Sequence, residues 1–323
     1  MSIIVFAEHI EGKLKKQAAE LVSYAAQIAE NTSQKVVAVA VGSVAADDVR
    51  SLAVYGASKT IHVPDKNLDI LDNRVYTRIL SEIYTREEGS MMVLGNSFTG
   101  KAIAPRLSVR LGAGLVAGVV DLPRAYQPLE VKKKIFNGKA FAYVQVKTGE
   151  VILTLNGNAC DVIEKPVEAE YEAYTPLTSM SFEDAEVVDV SRIAADNPLT
   201  EASIVVSGGR GMKSGENWAP LEELARLLNA ATACSKPVSD EGWRPHEEHV
   251  GQTGKTIAPD LYVAVGISGA VQHLAGVSSS KTILAINTDK EAPIFQIADY
   301  GIIADARDAL PKLIQSVSKL GSA

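Results

Sequence analysis

Three short segments in the last third of the chain combine glycine with residues that can bind a ligand. They are Ser207–Gly211, Val250–Lys255 and Gly266–His273, and each follows or adjoins an apolar run typical of a buried strand. Glycine lets a backbone approach a ligand closely and expose its N–H groups to phosphate. Because the carboxyl ends of parallel strands meet at one edge of a sheet, these segments predict a large, phosphate-bearing ligand held by several strand ends.

Individual side chains in these segments could recognise such a ligand, although each also has a plainer explanation. Arg210 stands inside a tight turn, where a cation is costly to bury unless an anion meets it; otherwise the turn simply joins a strand to a helix. Thr253 offers a hydroxyl between two glycines, or it caps a turn. Ser268 begins a predicted helix whose free N–H groups suit a diphosphate, and His273 follows on its first turn, either facing the ligand or as an ordinary packed histidine.

The sequence contains no recognisable pattern for acid–base, nucleophilic or metal chemistry. Neither G-x-G-x-x-G nor a Walker A loop is present, and no H-x-x-x-H or C-x-x-C spacing occurs. No metal site is therefore predicted, and no catalytic residue is assigned. The two cysteines, Cys160 and Cys234, are far apart and indicate a reducing compartment rather than a disulfide framework.

Composition and charge narrow the class of protein. The chain has 323 residues, of which 46% are hydrophobic and 22% charged, and this predicts about two globular domains. A net charge of −7 without clusters of basic and aromatic residues argues against nucleic acid as a partner. No apolar run is long enough for membrane insertion. The chain opens directly on a strand without a targeting pattern, so we expect a cytoplasmic protein.

Strands and helices alternate over the first 120 residues. This order predicts a mostly parallel sheet with right-handed crossovers. The predicted strands are Ile3–Ala7, Val36–Val41, Thr60–Val63 and Met91–Leu94, and the predicted helices are 14–29, Val44–Tyr55, Leu71–Tyr84 and Gly100–Leu111.

The pattern then changes to strand-like runs separated by two hairpin signals, Asn137-Gly138 and Thr148-Gly149. We therefore expect an antiparallel β meander formed by Val131–Phe136, Ala140–Lys147 and Val151–Asn156. Residues 164–200 are rich in Glu, Asp, Pro and Thr, which indicates a linker with one edge strand at Glu186–Val190.

The second domain again alternates strands and helices. Its predicted strands are Ser203–Val206, Leu261–Val265, Thr282–Ile286 and Gly301–Ala304, and its closing helix is Arg307–Leu320. The sequence thus predicts an α/β protein of two domains, each with a mostly parallel sheet flanked by helices. The predicted boundaries are 1–163 for the first domain, 164–200 for the linker and 201–323 for the second domain.

The C-terminal segments resemble the FAD-binding domain of the electron transfer flavoprotein alpha subunit over residues 203–320. The resemblance rests on four stretches, namely Ser207–Gly211, Gly251–Lys255, Leu261–Gly276 and Ala285–Asp305. The N-terminal half is similar to the same family more loosely, through the order of its elements and the opening VFAEH. The resemblance implies a nucleotide-hydrolase-like first domain and a second, FAD-binding domain of the deoxyhypusine-synthase-like type.

The resemblance also implies what the protein does. It implies an electron carrier rather than an enzyme, paired with a beta subunit in a heterodimer that works in fatty acid beta-oxidation. Electrons would pass from acyl-CoA or other dehydrogenases to a quinone oxidoreductase or another acceptor. The cofactor would be FAD, with AMP or a second FAD on the beta subunit. The alternative within the family is an electron-bifurcating complex that uses NADH and the second FAD.

Site residues follow from the resemblance position by position. Thr253 would donate to flavin N5 and His273 would lie at the flavin C2 carbonyl. The full set of implied FAD contacts is Arg210, Ser235, Lys236, Val250, Gly251, Gln252, Thr253, Ser268, Gly269, Ala270, Val271, Gln272, His273, Asn287, Asp305 and Ala306.

Lys236 stands where many family members have arginine, so the charge is kept and the planar guanidinium fork is lost. We expect Lys236 and His273 to stabilise the negative charge that a reduced flavin gathers near N1 and the C2 carbonyl.

Two other classes of protein remain open. One is a self-contained oxidoreductase that binds NAD(P), against which the missing dinucleotide fingerprint counts. The other is a nucleotide-binding interaction module, suggested by the order of the first domain. In that domain Gly95–Lys101 looks like a ligand loop, although packing against the second domain or a partner is the favoured interpretation.

Overall fold

The structure is a computed structural model that describes residues 1–136, 140–177, 187, 199–200 and 202–320. The chain divides into two compact units, Met1–Arg192 and Ile193–Ala323, called here the N-terminal and the C-terminal unit. Each contains a mostly parallel sheet flanked by helices, which confirms the predicted α/β class. The deoxyhypusine-synthase-like assignment stays a prediction, and so do the domain boundaries.

The elements of the N-terminal unit alternate as predicted up to residue 111. Its strands are β1 (Ser2–Phe6), β2 (His9–Ile10), β3 (Lys13–Leu14), β4 (Lys35–Val41), β5 (Lys59–Val63), β6 (Gly89–Gly95), β7 (Gly114–Val119), β8 (Ala125–Tyr126), β9 (Leu129–Ile135), β10 (Ala140–Gln145), β11 (Val151–Leu155) and β12 (Glu170–Ala173). Its helices are α1 (Gln17–Thr32), α2 (Ala46–Ser51), α3 (Asn73–Arg86) and α4 (Phe98–Leu111).

The main sheet of this unit has the order β10-β9-β7-β11-β6-β1-β4-β5-β12, with β8 paired to β9. The central strands are apolar on both faces because helices cover both sides, as is usual for parallel sheets. On one side α1 packs Leu21 and Ile28 against the sheet. On the other side α3 and α4 contribute Ile79 and Leu107. This arrangement leaves the outer faces of α3 and α4 at the surface of the unit.

Two side chains fix where α3 and α4 begin. The Asp72 carboxylate accepts hydrogen bonds from the backbone N–H groups of Arg74 and Val75, and the Ser97 hydroxyl accepts one from Gly100. Such caps satisfy backbone donors that a helix start leaves without intrahelical partners.

In the segment Gly95–Lys101, which looked like a ligand loop, the side chains of Asn96 and Ser97 are hydrogen-bonded within the unit. The Asn96 amide donates to Asn156 Oδ1 at 2.7 Å, Thr154 donates to Asn96 Oδ1 at 2.9 Å, and the Ser97 hydroxyl donates to Glu8. These contacts hold Asn96 and Ser97 in place at the end of β6, whereas Lys101 in the same segment is exposed.

The expected meander is wrong in its third strand. The antiparallel part consists of β8, β9 and β10. Strand β11 pairs in parallel with both β6 and β7 and so lies in the middle of the sheet. Thr148-Gly149 is therefore not a hairpin turn between adjacent strands. Periodicity cannot distinguish the two arrangements, because a short apolar run fits any buried strand.

Within the predicted linker, the structure places an edge strand earlier than expected. Strand β12, at 170–173, pairs in parallel with β5. The predicted strand Glu186–Val190 lies outside the described residues except for Val187, and the predicted turn Asn137-Gly138 lies outside them entirely.

The C-terminal unit follows the predicted order closely. Its strands are β13 (Ile204–Gly208), β14 (Ala231–Cys234), β15 (Leu261–Val265), β16 (Thr282–Asn287) and β17 (Tyr300–Ile303), and its helices are α5 (Ala219–Leu227), α6 (Lys236–Asp240), α7 (Val271–Val277) and α8 (Ala306–Leu320). The sheet order is β14-β13-β15-β16-β17, with every neighbouring pair parallel.

Among the helices of the described ranges, none combines the length and the apolar character that crossing a bilayer requires.

Candidate cofactor-binding site

The carboxyl ends of the five parallel strands of the C-terminal unit share one edge of its sheet. The loops that the sequence singled out leave from this edge. Gly209 follows β13, Ser235 follows β14, Gly266 follows β15, and Asp305 lies two residues beyond β17. The topology thus gathers at one edge residues that are up to about a hundred positions apart, which is where open α/β sheets bind ligands.

Two of the glycine loops touch through their backbones. The N–H of Gly209 donates to the carbonyl of Val265, and the N–H of Gly211 donates to the carbonyl of Gly266, each at 2.9 Å. A Cβ on Gly211 would lie 2.5 Å from Gly266 Cα, and Gly266 itself has a φ of +63°. Glycine is therefore required at both positions by close backbone approach.

Arg210 lies between these glycines and is exposed. Within the part of the chain that the structure describes, its guanidinium forms no ion pair. The side chain is therefore available for an anionic group at the end of β13.

The loop Val250–Lys255 is held against α7. The N–H of Gln252 donates to the Gln272 carbonyl at 2.7 Å, and the N–H of the buried Val250 donates to the Cys234 carbonyl at 3.0 Å. A Cβ on Gly276 would lie 2.5 Å from Gly251 Cα, so helix and loop meet in backbone contact. Thr253 is exposed at the tip of this loop.

His273 is buried and bonded to the core of the sheet. Its Nε2 lies 2.8 Å from the hydroxyl of Tyr262, a fully buried residue of β15. Its Nδ1 is also buried and makes no hydrogen bond of normal geometry among the described residues, although the backbone of Val250 lies close enough to the ring to interact with it. Burial lowers the pKa of His273 to about 4, so the imidazole is neutral near pH 7. In this neutral form the ring would stabilise negative charge on a cofactor through a hydrogen bond, and the expected role of His273 stays a prediction.

The segment before α7 is anchored by its backbone. The carbonyl of Ser268 accepts from the N–H of Ile294 at 3.0 Å. Gly269 has a φ of +84°, and a Cβ there would meet Ile294 N at 2.5 Å. Ala270, Val271 and Gln272 are exposed at the start of α7, so this turn presents backbone and side chain to a ligand.

The positive charge of Lys236 is already engaged. Its ammonium lies 2.9 Å from Asp240 Oδ2, one turn along α6, and both side chains are more than half exposed. Ser235 is buried just before this helix, and its N–H donates to the Gly208 carbonyl at 3.0 Å. To stabilise negative charge on a flavin, as predicted, the Lys236 ammonium would have to move away from the Asp240 carboxylate or interact with both groups at once.

The polar side chains at the ends of β16 and β17 also have partners within the unit. Asp305 accepts from Lys213 at 2.8 Å and from Arg307, and these cations hold the pKa of its carboxyl well below the usual range. The Asn287 amide donates to the Ile267 carbonyl at 2.9 Å. Ala306 begins α8 directly after Asp305.

Sequence reasoning missed two residues that support the site. Tyr262 carries no pattern that marks it, because an aromatic residue in a buried strand is ordinary core. His249 is buried, and burial lowers its pKa. Its Nδ1 has no partner among the described residues, and it lies close to Gly254 in the predicted loop. Only the three-dimensional contacts associate either residue with the predicted loops.

The residues present fit a phosphate-bearing, heteroaromatic cofactor. Nδ1 of His249 and Nδ1 of His273 are buried and make no hydrogen bond of normal geometry within the described residues. A ligand at this edge could therefore hydrogen-bond to them. The glycine contacts keep the loops close to the sheet edge, and Arg210 supplies a positive charge there.

Comparison with known proteins gives the same assignment. The family model for the electron transfer flavoprotein FAD-binding domain matches residues 198–278, and that for the electron transfer flavoprotein domain matches residues 3–205. Similar proteins named "Electron transfer flavoprotein subunit alpha" occur in Bacillus subtilis and Syntrophomonas wolfei, at 34% and 35% identity, each covering 98% of both chains. One from Pseudomonas aeruginosa is 37% identical, covering 98% of this chain and 100% of the relative.

A solved thiamin diphosphate-dependent enzyme from Mycobacterium smegmatis is only distantly similar. Its TM-score is 0.26 at 12% identity, covering 97% of this chain and 59% of that one, so it supports no functional conclusion. The family matches extend over nearly the whole chain. The chain therefore belongs to the electron transfer flavoprotein alpha-subunit family, with the FAD-binding domain of that family in its C-terminal unit.

Proposed function

We propose that this electron transfer flavoprotein subunit binds FAD at the carboxyl edge of its C-terminal sheet and carries electrons from dehydrogenases, such as acyl-CoA dehydrogenases, to a quinone oxidoreductase or another acceptor. The observation that carries the proposal is the convergence of the glycine loops, Arg210 and the buried His273 at that edge. The sequence shows no recognisable pairing of a nucleophile with a base, and this favours an electron carrier over an enzyme.

Within this proposal each side chain has a limited task. Arg210 and the turn Ser268–Gln272 bind the diphosphate, and Asn287, Asp305 and Ala306 bind the adenosine end. Thr253 and His273 orient the isoalloxazine by hydrogen bonds, and Val250–Gln252 line its side. Ser235 and Lys236 also contact FAD. When bound, FAD supplies the redox chemistry, and the protein sets its position and electrostatic environment.

A heterodimer with a beta subunit is part of the proposal, and that subunit would hold AMP. The alternative is a bifurcating complex with NADH as donor and a second FAD on the beta subunit. The two differ in what the purified complex contains, since one predicts one FAD and one AMP, and the other predicts two FAD.

The test is co-expression of this chain with its beta subunit, followed by the visible absorption spectrum and a count of FAD and AMP for each heterodimer. Flavin absorption with one FAD and one AMP supports the carrier. Two FAD together with NADH oxidation support bifurcation. A colourless heterodimer that takes up no added FAD contradicts both.

A further inference from the structure

Ser207 places a hydroxyl in the apolar core of the C-terminal unit. The residue is fully buried near the end of β13. Its neighbours in the sheet are Ala233 of β14 and Ala264 of β15, whose side chains neither donate nor accept a hydrogen bond. A hydroxyl that is buried without a partner lowers stability. An alanine would therefore be the more stable residue here unless Ser207 interacts with another polar group.

The polar group next to Ser207 is the hydroxyl of Tyr262. Tyr262 pairs with Val205, two residues before Ser207, so the side chains of Ser207 and Tyr262 lie on the same face of the sheet. Burial raises the pKa of Tyr262, and the contact with the Ser207 hydroxyl opposes that rise. The contact is too loose to be a hydrogen bond of normal geometry within the described residues.

The Tyr262 hydroxyl continues this contact towards the cofactor edge, because it lies 2.8 Å from Nε2 of His273. Ser207, Tyr262 and His273 thus form a row of polar side chains in an otherwise apolar layer, and are called here the hydroxyl–imidazole row. The row begins in the core of the sheet and ends at α7, on the helix that follows the predicted diphosphate turn.

Hydrogen bonds can run along the hydroxyl–imidazole row in two directions. If Ser207 donates to Tyr262, the phenol donates to Nε2 of His273, and the proton of the neutral ring lies on Nδ1. If the ring carries its proton on Nε2 instead, it donates to Tyr262, and Tyr262 donates to Ser207. The two directions differ in where they leave a hydrogen-bond donor without a partner inside the row.

The surroundings favour the direction from the core to the edge. In the opposite direction the Ser207 proton points away from Tyr262, where the flanking side chains are alanines and the backbone of β13 is engaged in ladders on both sides. A buried donor without an acceptor is costly. In the favoured direction the last donor is Nδ1–H of His273, and the backbone of Val250 lies close enough to that ring to interact with it.

We propose that Ser207 is a positioning residue for the cofactor site, which donates to Tyr262 so that Tyr262 donates to Nε2 of His273 and the ring proton is held on Nδ1. This inference rests on the proposed FAD site and deepens it, because Ser207 acts on the cofactor through two other residues. A neutral imidazole is a donor at one nitrogen and an acceptor at the other. Fixing its proton therefore fixes the ring dipole that the negative charge of a reduced cofactor meets.

The first test locates the ring proton in the unsubstituted protein. The heterodimer is prepared with nitrogen-15-labelled histidine, and the His273 signals are identified by their loss in His273→Gln. The nitrogen chemical shifts distinguish a protonated ring nitrogen from a bare one. We expect the proton on Nδ1. A proton on Nε2 overturns the proposal, whatever the variants of Ser207 show.

The second test removes the hydroxyl that starts the row. In Ser207→Ala we expect the ratio of the Nδ1–H to the Nε2–H form of His273 to fall about tenfold, which is the effect of one hydrogen bond. Ser207→Cys keeps a weaker donor and should give an intermediate ratio. The matched control is Ser280→Ala, which removes a hydroxyl bonded to the Val277 carbonyl at 2.7 Å beyond the end of α7. An unchanged ratio in Ser207→Ala and Ser207→Cys overturns the proposal.

The third test separates positioning from stability by measuring the flavin reduction potential. Ser207→Ala should shift the potential, whereas the same substitution in a Tyr262→Phe chain should cause no further shift, because the row is already broken there. Ser280→Ala should shift it in neither chain. Equal shifts from Ser207→Ala in both chains would show that Ser207 acts by another route, and no shift in either would show that it does not act on the cofactor. Both outcomes contradict the proposal.

The proposal and the proposed function fail in different ways. Circular dichroism shows whether each variant folds, and the measurement on the unsubstituted protein does not depend on the variants. If the His273 proton responds to Ser207→Ala in a heterodimer that takes up no FAD, the row is right and the proposed function fails. If FAD binds and the His273 proton does not respond, the reverse holds.

Discussion

The hydroxyl of Tyr262 lies 2.8 Å from Nε2 of His273, so a residue in the core of the C-terminal sheet fixes an imidazole at the cofactor edge. Burial raises the pKa of Tyr262, and the hydroxyl keeps its proton. When this hydroxyl donates to Nε2, the ring proton lies on Nδ1, which is buried close to the backbone of Val250 and makes no hydrogen bond of normal geometry within the described residues. The pair would thus decide whether His273 donates to the cofactor or accepts from it.

Tyr262→Phe should therefore change the cofactor's environment and not only stability. Loss of the hydroxyl leaves Nε2 buried without its partner, at a cost of about 1–3 kcal/mol, and frees the ring to adopt the other tautomer. We expect FAD to remain bound with a shifted reduction potential, measured by spectroscopic redox titration. Tyr24→Phe removes a buried hydroxyl that donates to Asp121 in the N-terminal unit and should leave the potential unchanged. An unaltered potential in Tyr262→Phe would show that the contact is structural only.

Stability should fall as the pH is lowered from about 6.5 to about 4. The unfolded chain takes up a proton on His273 near its ordinary pKa of 6.5, whereas burial delays uptake in the folded chain until about pH 4. Because the unfolded state binds more protons in that interval, the free energy of unfolding decreases by about 1–3 kcal/mol.

His273→Gln should reduce this dependence and leave the contribution of His249, whose pKa burial also lowers. The exposed His246→Gln should keep most of it, as followed by thermal unfolding of the heterodimer across that range. Identical slopes in the two variants would exclude His273 as the cause.

Gly211→Ala should loosen the contact between the glycine loops. The new Cβ would lie 2.5 Å from Gly266 Cα, and its three nearest atoms are all backbone atoms of Gly266, which cannot move without shifting the loop. We expect a loss of about 1–3 kcal/mol from overpacking, together with less FAD for each heterodimer. Gly149→Ala is the control, because no atom lies within 4 Å of a Cβ there. Full FAD content in Gly211→Ala would mean that this contact is unnecessary for binding.

Thr253→Ala should leave stability within about 0.5 kcal/mol of the wild type, because the side chain is exposed at a loop tip. If its hydroxyl orients the isoalloxazine, FAD stays bound and the reduction potential moves. Thr256→Ala removes a neighbouring exposed hydroxyl and should not move it. Purification of Thr253→Ala without any FAD would show that the threonine is needed for binding instead.

Lys236 and Asp240 should affect the cofactor in opposite directions. Their ion pair is exposed, so breaking it changes stability by about 1 kcal/mol or less. Asp240→Asn frees the ammonium and should raise the flavin reduction potential, because more positive charge favours the reduced, more negative form. Lys236→Ala should lower it. Shifts of the same sign, or none, would show that Lys236 lies outside the electrostatic reach of the flavin.

The C-terminal unit could be predicted from sequence because its signals are local. Two of the three glycine loops directly follow their own strands, β13 and β15, and parallel topology brings these two together without further information. The pairing of Lys236 with Asp240 and of Asp305 with Lys213 could not be predicted, since either cation could equally have remained in solvent. Tyr262 was missed because nothing in a buried strand shows which aromatic residue meets a histidine eleven positions later.

The N-terminal sheet was predicted less completely, for a different reason. Strand β7 contains Gly114 and Gly118, which weaken its strand pattern, and it was not predicted at all. Strand β11 was recognised as a strand, but its partners are set by non-local pairing. A run such as Val151–Leu155 has the same apolar character whether its neighbours are parallel or antiparallel.

The position of β11 also bears on how the protein is made. In the sequence β6 and β7 come first, then the antiparallel strands β8, β9 and β10, and only then β11. In the sheet β11 lies between β6 and β7. A nascent chain emerging from the ribosome therefore cannot complete the middle of this sheet until residue 155 is available. Until then it has two incomplete halves with exposed edges, the kind of intermediate on which chaperones act.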